Sequence, residues 1–157
     1  MKRLLLVLSA TLTMTGTALA ADKVKYPWGY RNWAHVKSMV INADHPLANP
    51  FAGLHHVYAN GKAMKGLKSG KHEDGAVLVF DLLEANAGSG AVQEGARKFI
   101  GVMQKDAKRF ASTGGWGYEA FAGDSKSKRV VTDGGAGCYG CHSGQKDKDF
   151  VFSALRK

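Results

Sequence analysis

Ala76-Val77-Leu78-Val79-Phe80 is the stretch that decides the fold, because it is apolar throughout and contains the β-branched residues Val77 and Val79. Such a run predicts a strand that is buried within a sheet. Asp74-Gly75 in front of it is a turn sequence, and Asn86 to Gly90 behind it predicts a loop. The chain therefore has a central strand between two turns.

The segments around this strand predict a sheet with a few short helices. In the first helix Trp33, Val36 and Val40 recur at helical spacing, while Asn60 caps the second and Gly70 ends it. The predicted helices are Trp28–Val40 and Asn60–Lys68, and the further strands are Leu54–Tyr58, Arg97–Gln104 and Trp116–Phe121. The fold class is thus α+β and β-rich, with a mainly antiparallel sheet.

Composition limits the class of protein. The 157 residues are 45% hydrophobic and 10% aromatic, which is too apolar for a disordered chain. The length suits one domain. Two cysteines are too few for a disulfide-dense scaffold.

The first twenty residues have the pattern of a secretory signal peptide. Lys2 and Arg3 precede an apolar region, and Ala18-Leu19-Ala20 is a small-x-small cleavage sequence. We expect cleavage after Ala20, a periplasmic location and one mature domain over residues 21–157. An uncleaved membrane anchor is disfavoured because the apolar region is about half the length of a span. No later segment resembles a transmembrane run.

The mature chain is basic, since removal of residues 1–20 leaves 20 Lys and Arg against 13 Asp and Glu, a charge of +7. These cations are scattered along the chain, and export argues against a nucleic-acid partner. A solvated basic surface is the preferred interpretation, with docking to an acidic redox protein as the alternative.

Cys138-Tyr139-Gly140-Cys141-His142 is a CxxCH motif, the attachment sequence of haem c. One helical turn presents both thiols to one porphyrin edge as thioethers, and His142 becomes the proximal iron ligand. A thioredoxin-type disulfide would need a preceding strand, but a glycine-rich loop is found there. A structural zinc site would need further ligands, and no second cysteine pair exists.

The other side of the iron lacks an obvious ligand. Met39, Met64 and Met103 fit core positions better than ligand positions. His55 and His56 alternate on a strand, so one of them is expected to face inward, more typically as a core histidine than as a ligand. We expect five-coordinate iron. The three remaining mature histidines outside the motif are predicted to lie at the surface: His35, His45 and His72.

Several ordered blocks of sequence resemble the cytochrome P460 family, which includes the cytochromes c′-β. The blocks are Tyr30-Arg31-Asn32-Trp33, His55-His56-Val57-Tyr58-Ala59-Asn60, Asp74-Gly75-Ala76-Val77-Leu78-Val79, Val102-Met103-Gln104-Lys105-Asp106 and Thr113-Gly114-Gly115-Trp116-Gly117-Tyr118, followed by CxxCH. The resemblance covers about Tyr26 to Ser153. It implies a β-rich, often homodimeric, mono-haem protein with five-coordinate iron and His142 as the proximal ligand.

The family has two functional branches, and the resemblance implies different residues for each. Cytochromes P460 oxidise hydroxylamine and carry a lysine–haem cross-link, for which Lys68 is the best-matching position. That chemistry also needs an acid–base group, and Glu119 and Asp81 are the candidates. The c′-β branch lacks the cross-link and binds nitric oxide and carbon monoxide in an apolar pocket.

Aromatic residues are the candidates for an apolar distal pocket: Phe80, Phe121, Phe51 and Tyr118. A pocket of this kind admits neutral gases but offers no route for the protons of hydroxylamine oxidation. The sequence therefore predicts a haem protein that binds nitric oxide and similar gases. The alternatives are a hydroxylamine- or NO-oxidising enzyme and a six-coordinate electron-transfer cytochrome.

Overall fold

The computed structural model describes residues 23–155, which contain one antiparallel sheet of five strands. The strands lie side by side in chain order, with the first and the last at the two edges. They are β1 (Ala34–Ile41), β2 (Gly53–Ala59), β3 (Val77–Gly88), β4 (Ala91–Lys105) and β5 (Trp116–Ala122). The prediction of a β-rich α+β fold is confirmed.

Short helices connect the strands or follow them. They are α1 (Ala48–Phe51), α2 (Gly61–Ser69) and α3 (Ala136–His142), with 3-10 segments at Tyr30–Asn32, Ala111–Thr113 and Ser143–Lys148. Within residues 23–155 no helix has the length and hydropathy that crossing a membrane requires. The predicted signal peptide, Met1–Ala20, lies outside the described residues.

The central strand β3 is longer than its apolar sequence suggests. It pairs with β4 from Val77 opposite Gln104 to Gly88 opposite Ala91. The loop predicted from residue 86 is therefore wrong in its first part, because the strand continues to Gly88. The turn itself needs only Ser89 and Gly90, whose φ angles of 50° and 76° suit a tight hairpin.

The helix predicted over Trp28–Val40 is wrong, since most of this segment forms β1. Pairing with β2, for example Ser38 opposite His56, overrides the helical spacing of the apolar residues. As an edge strand, β1 leaves Met39 and Val40 exposed although both are apolar. The apolar spacing therefore did not indicate a helix face.

The helix α2 has the limits that its capping residues predict. The Asn60 side chain accepts hydrogen bonds from the backbone N–H of Ala63 at 2.9 Å and of Val77 at 3.1 Å. Gly70 ends the helix with a φ of 81°. The second bond of Asn60 ties the start of α2 to the start of β3.

Alternating residues of the sheet build two apolar clusters, one on each face. The first cluster comprises Val36, Val57, Ala59, Ala63, Ala76, Leu78, Trp116, Tyr118, Phe150 and Val151. The second cluster comprises Val24, Tyr30, Val79, Ile100, Val102, Phe110 and Phe121. Neighbours such as Leu78 and Val79 belong to different clusters because successive strand side chains point to opposite faces. The helices α2 and α3 lie on the side of the first cluster.

Candidate functional site

The helix α3 carries the CxxCH motif and starts at a pair of glycines. Gly135 has a φ of 91°, and a Cβ there would lie 3.0 Å from Cβ of Tyr118, so the helix start packs tightly on β5. The Asp133 carboxylate accepts the backbone N–H groups of Gly135 at 2.9 Å and Gly137 at 2.7 Å. These bonds lower the pKa of Asp133 and satisfy donors that the helix leaves free.

Both cysteines have free thiols, and they lie on one side of α3 because they are three residues apart. Cys138 packs against the first cluster, whereas Cys141 is exposed. Burial raises the pKa of the Cys138 thiol, and Asp133 raises it further. A redox-active CxxC pair needs the opposite shift, so this environment does not suit thioredoxin-type chemistry.

His142 has one ring nitrogen committed and the other available. Its Nδ1 lies 2.7 Å from the carbonyl oxygen of Phe150, which can only accept, so Nδ1 carries the proton. Nε2 then has the lone pair that a metal ligand needs. Burial lowers the pKa of His142, which favours this neutral form. The ring is flanked by those of Tyr118 and Phe152, at 5.1 and 4.9 Å.

This set of donors fits haem. Two free thiols one helical turn apart match the two vinyl groups, and the adjacent neutral imidazole matches an axial iron position. Residues 23–155 contain no group of three or more His, Cys, Asp or Glu side chains able to hold a bare metal ion.

Phe80 lies on the same face of the sheet as the motif. It packs against the first cluster and contacts two further aromatic rings, Phe51 at 5.9 Å and Phe99 at 6.0 Å. The ring of His55 lies 4.4 Å from that of Phe80 and is buried. The expectation that one histidine of the pair faces inward is met by His55.

Phe121 and Glu119 lie on the other face. Phe121 is fully buried in the second cluster, and Glu119 pairs with Arg129 at 2.6 Å, whose guanidinium stacks on Phe121. Both therefore lie on the sheet face opposite to Tyr118, the β5 residue whose ring contacts His142. The alternation along β5 predicts this, because Tyr118 and Phe121 are an odd number of residues apart. Asp81 likewise faces away, bonded to Arg97.

Lys68 lies in the last turn of α2 and is exposed. The helix faces the first cluster through Ala63, Met64 and Leu67. Because Met64 is four residues before Lys68, the lysine flanks the buried side of the helix without belonging to it.

His72 corrects one expectation and reveals a further part of the site. It is 5% exposed, so the prediction that it lies at the surface is wrong. Its backbone N–H and its Nδ1 both bond to the Asp149 carboxylate, at 2.8 and 3.2 Å. Lys105 bonds to the other oxygen of the same carboxylate at 2.7 Å. No local sequence signal connects these residues, which come from three distant segments.

Comparison with known proteins identifies the family of the chain. Residues 27–153 match the family model described as Cytochrome P460, which covers most of the chain. No curated protein matches the sequence. The chain therefore belongs to the cytochrome P460 family and is a haem-binding cytochrome.

Proposed function

We propose that this chain is a mono-haem cytochrome of c′-β type that binds nitric oxide and similar small gases. Cys138 and Cys141 hold the haem as thioethers, and His142 is the proximal ligand. The haem supplies an iron with one open coordination position, where neutral diatomic gases bind. The observation that carries the proposal is the aromatic group on the same face as the motif: Phe51, Phe80 and Phe99.

These aromatic side chains make a surface without charge. His55 beside them is held neutral, because burial lowers its pKa to about 4. Nitric oxide needs no charged partner, so apolar contacts suffice to admit it and to exclude water. Oxidation of hydroxylamine would require a group that accepts protons, and the two candidates, Glu119 and Asp81, face away.

The optical spectrum of the purified holoprotein tests this function. An unshifted, high-spin spectrum that changes on addition of nitric oxide is expected. A strongly red-shifted Soret band in the ferrous protein would instead establish the lysine-modified haem of a hydroxylamine-oxidising enzyme. Substitution Lys68→Ala should leave the spectrum unchanged, as should the control Lys65→Ala on the same helix.

A six-coordinate electron carrier is the second candidate, and His55 is the observation that favours it. Its Nδ1 is buried and has no hydrogen-bond partner among residues 23–155. A neutral imidazole of this kind is chemically able to bind iron. A low-spin spectrum that becomes high-spin in His55→Leu would support this alternative and overturn the gas-binding proposal.

The proposed location is the periplasm, with residues 1–20 removed as a signal peptide and residues 21–157 forming the mature domain. N-terminal sequencing of the protein from a periplasmic fraction tests the cleavage after Ala20. A mature protein beginning elsewhere, or one found only in the cytoplasm, would contradict the proposal.

A redox partner protein with an acidic surface is a further proposal. Four exposed lysines lie on or just after α2: Lys62, Lys65, Lys68 and Lys71. The helices α2 and α3 both pack against the first cluster, so these lysines are on the same side of the sheet as the CxxCH motif. An acidic partner would be steered to this surface, so its association rate should fall as salt rises. Rapid-mixing electron transfer at low and high salt tests this.

Homodimer formation is proposed from the family resemblance. β1 is an edge strand with the exposed apolar residues Met39 and Val40, which offer surface to a second copy. Light scattering of the wild type and of Met39→Lys measures the mass. A monomeric wild type would contradict the proposal.

A further inference from the structure

The orientation of His142 depends on one backbone carbonyl. The bond from Nδ1 to the Phe150 oxygen is 2.7 Å long, and the carbonyl comes from the chain that follows the 3-10 segment Ser143–Lys148. If this oxygen moved, the imidazole would lose the acceptor that fixes both its rotation and its protonated nitrogen. The residues that fix the position of the Phe150 carbonyl therefore also fix the orientation and the protonated nitrogen of the His142 ring.

The backbone around that carbonyl is strained. Asp149 and Phe150 have φ angles of 51° and 65°, in the left-handed region that non-glycine residues avoid. Two consecutive residues of this kind persist only where the surroundings hold them. The Phe150 ring is 9% exposed and lies where a Cβ on Gly114 would be, 2.5 Å from its ring atoms.

Asp149 is held from three elements at once. Its carboxylate accepts bonds from His72, which follows α2, and from Lys105, which ends β4. Its backbone carbonyl accepts the indole N–H of Trp116, at the start of β5, at 2.9 Å. Lys105 also donates to the Gly114 carbonyl at 3.2 Å. The same ammonium group therefore fixes the backbone of Gly114, against which the Phe150 ring packs.

The charges in this cluster are balanced although it is largely buried. The Asp149 and Lys105 side chains are 14% and 11% exposed, and the His72 side chain is 2% exposed. Burial opposes the charged form of Asp149, but the bonds from Lys105 and His72 outweigh it and lower the pKa of the carboxyl. A charged acceptor makes these bonds stronger than neutral ones.

We propose that Asp149 is a positioning residue for haem ligation, which acts by holding the Phe150 carbonyl against Nδ1 of His142. The inference rests on the proposed function, in which His142 is the proximal ligand. A firmly held acceptor strengthens the hydrogen bond that Nδ1–H donates to the Phe150 carbonyl, and this makes Nε2 a better electron donor. By holding Asp149 in place, His72 and Lys105 would therefore affect the donor strength of the His142 ligand, although neither residue contacts the iron.

The test compares Asp149→Asn with Asp147→Asn, an exposed acidic neighbour on the 3-10 segment. Both are made as holoprotein with measured haem content. In Asp149→Asn we expect the iron–histidine stretching band of the ferrous protein to broaden and shift to lower frequency. The reduction potential is expected to rise, because a less basic imidazole stabilises the oxidised iron less. Asp147→Asn should match the wild type in both measurements.

Lys105→Met keeps the proposal testable if Asp149→Asn does not fold. It removes the hydrogen bond from Lys105 to the Asp149 carboxylate. The iron–histidine band and the reduction potential should shift in the same directions as in Asp149→Asn, but by smaller amounts. Unchanged band and potential in a folded Asp149 or Lys105 variant would overturn the positioning role. A wild type without an iron–histidine band, as in a low-spin protein, would overturn the five-coordinate function instead, while the potential still reports on Asp149.

Discussion

Gly66 and His72 are in contact through the space that a side chain at position 66 would fill. A Cβ on Gly66 would lie 2.1 Å from Cδ2 of the His72 ring. The glycine interrupts α2 at a position where alanine would favour the helix by about 1 kcal/mol. The lower helix propensity of glycine is thus offset, because the absent side chain leaves room for His72 to be buried beside α2 and to bond to Asp149.

Gly66→Ala should therefore destabilise the protein despite its better helix propensity. Forcing the His72 ring aside is expected to lower the free energy of unfolding by about 1–3 kcal/mol. Gly61→Ala on the same helix is the control, because a Cβ there meets nothing within 4 Å. It should raise the free energy of unfolding by about 0.4–1 kcal/mol. Urea denaturation measures both, and equal gains would contradict the contact.

His55 should make stability depend on pH. Burial lowers its folded pKa to about 4, from an ordinary value of 6.5, so the unfolded chain binds more protons between these values. The contribution of His55 is complete above about pH 6.5 and is lost as pH falls towards 4. Between pH 7 and pH 5 it should remove about 2 kcal/mol of stability.

The comparison that isolates this effect is His55→Leu against His45→Gln, with unfolding measured at both pH values. The leucine variant should lose less stability on acidification than the wild type. His45 is exposed, so its variant should follow the wild type. A leucine variant with the full acid sensitivity would show that other groups carry it.

Phe80 and Phe121 offer a matched test of the sheet face on which the proposed gas-binding pocket lies. Phe80→Leu enlarges the space beside Phe51 and Phe99 and should raise the association rate of carbon monoxide about tenfold, equivalent to about 1.4 kcal/mol. Phe121→Leu makes the same change in the second cluster and should leave this rate unaltered. Flash photolysis of both variants measures the rates. A larger effect from Phe121 would place the pocket on the opposite face.

A buried ion pair joins Asp81 and Arg97 on the sheet face that carries the second cluster. The Oδ1 atom of Asp81 and the Nε atom of Arg97 lie 2.6 Å apart. Arg97→Met would leave the buried carboxylate with Tyr30 as its one remaining side-chain hydrogen-bond donor among residues 23–155, and should cost about 3–5 kcal/mol of unfolding free energy. Adding Asp81→Asn should recover part of this loss because the buried charge is gone. Arg31→Met, which removes an exposed guanidinium that lies over the Tyr30 ring, should cost less than about 1 kcal/mol.

Local signals in the sequence account for the parts of the fold that could be predicted. The apolar run at 76–80 identified the central strand, and Asn60 with Gly70 delimited α2, because caps act through bonds to their own neighbours. Edge strand β1 was missed since Met39 and Val40, exposed on its two opposite faces, mimic a helical stripe. Its conformation is set by pairing with β2, which no local pattern reports.

In the site, too, the residues specified by local sequence could be predicted, and those specified by long-range contacts could not. The CxxCH spacing identified Cys138, Cys141 and His142 as candidates because all three lie within two turns of one helix. Asp149 gave no signal, since its partners His72 and Lys105 are 77 and 44 residues away along the chain. Its role also depends on the left-handed backbone of Phe150, which a bulky residue does not favour intrinsically.

The sequential order of the strands bears on how the protein matures. Each strand pairs with the one before it in the chain, so all five can assemble through short-range closures while the chain emerges. The helix α3 comes after the last strand, so that Lys105 on β4 and Trp116 on β5, which hold Asp149, and Tyr118, which packs against the start of α3, are then already in place. If haem attaches through Cys138 and Cys141 as proposed, we expect the scaffold to be largely folded before the thiols react, so that haem would bind to a formed surface instead of organising the chain around itself.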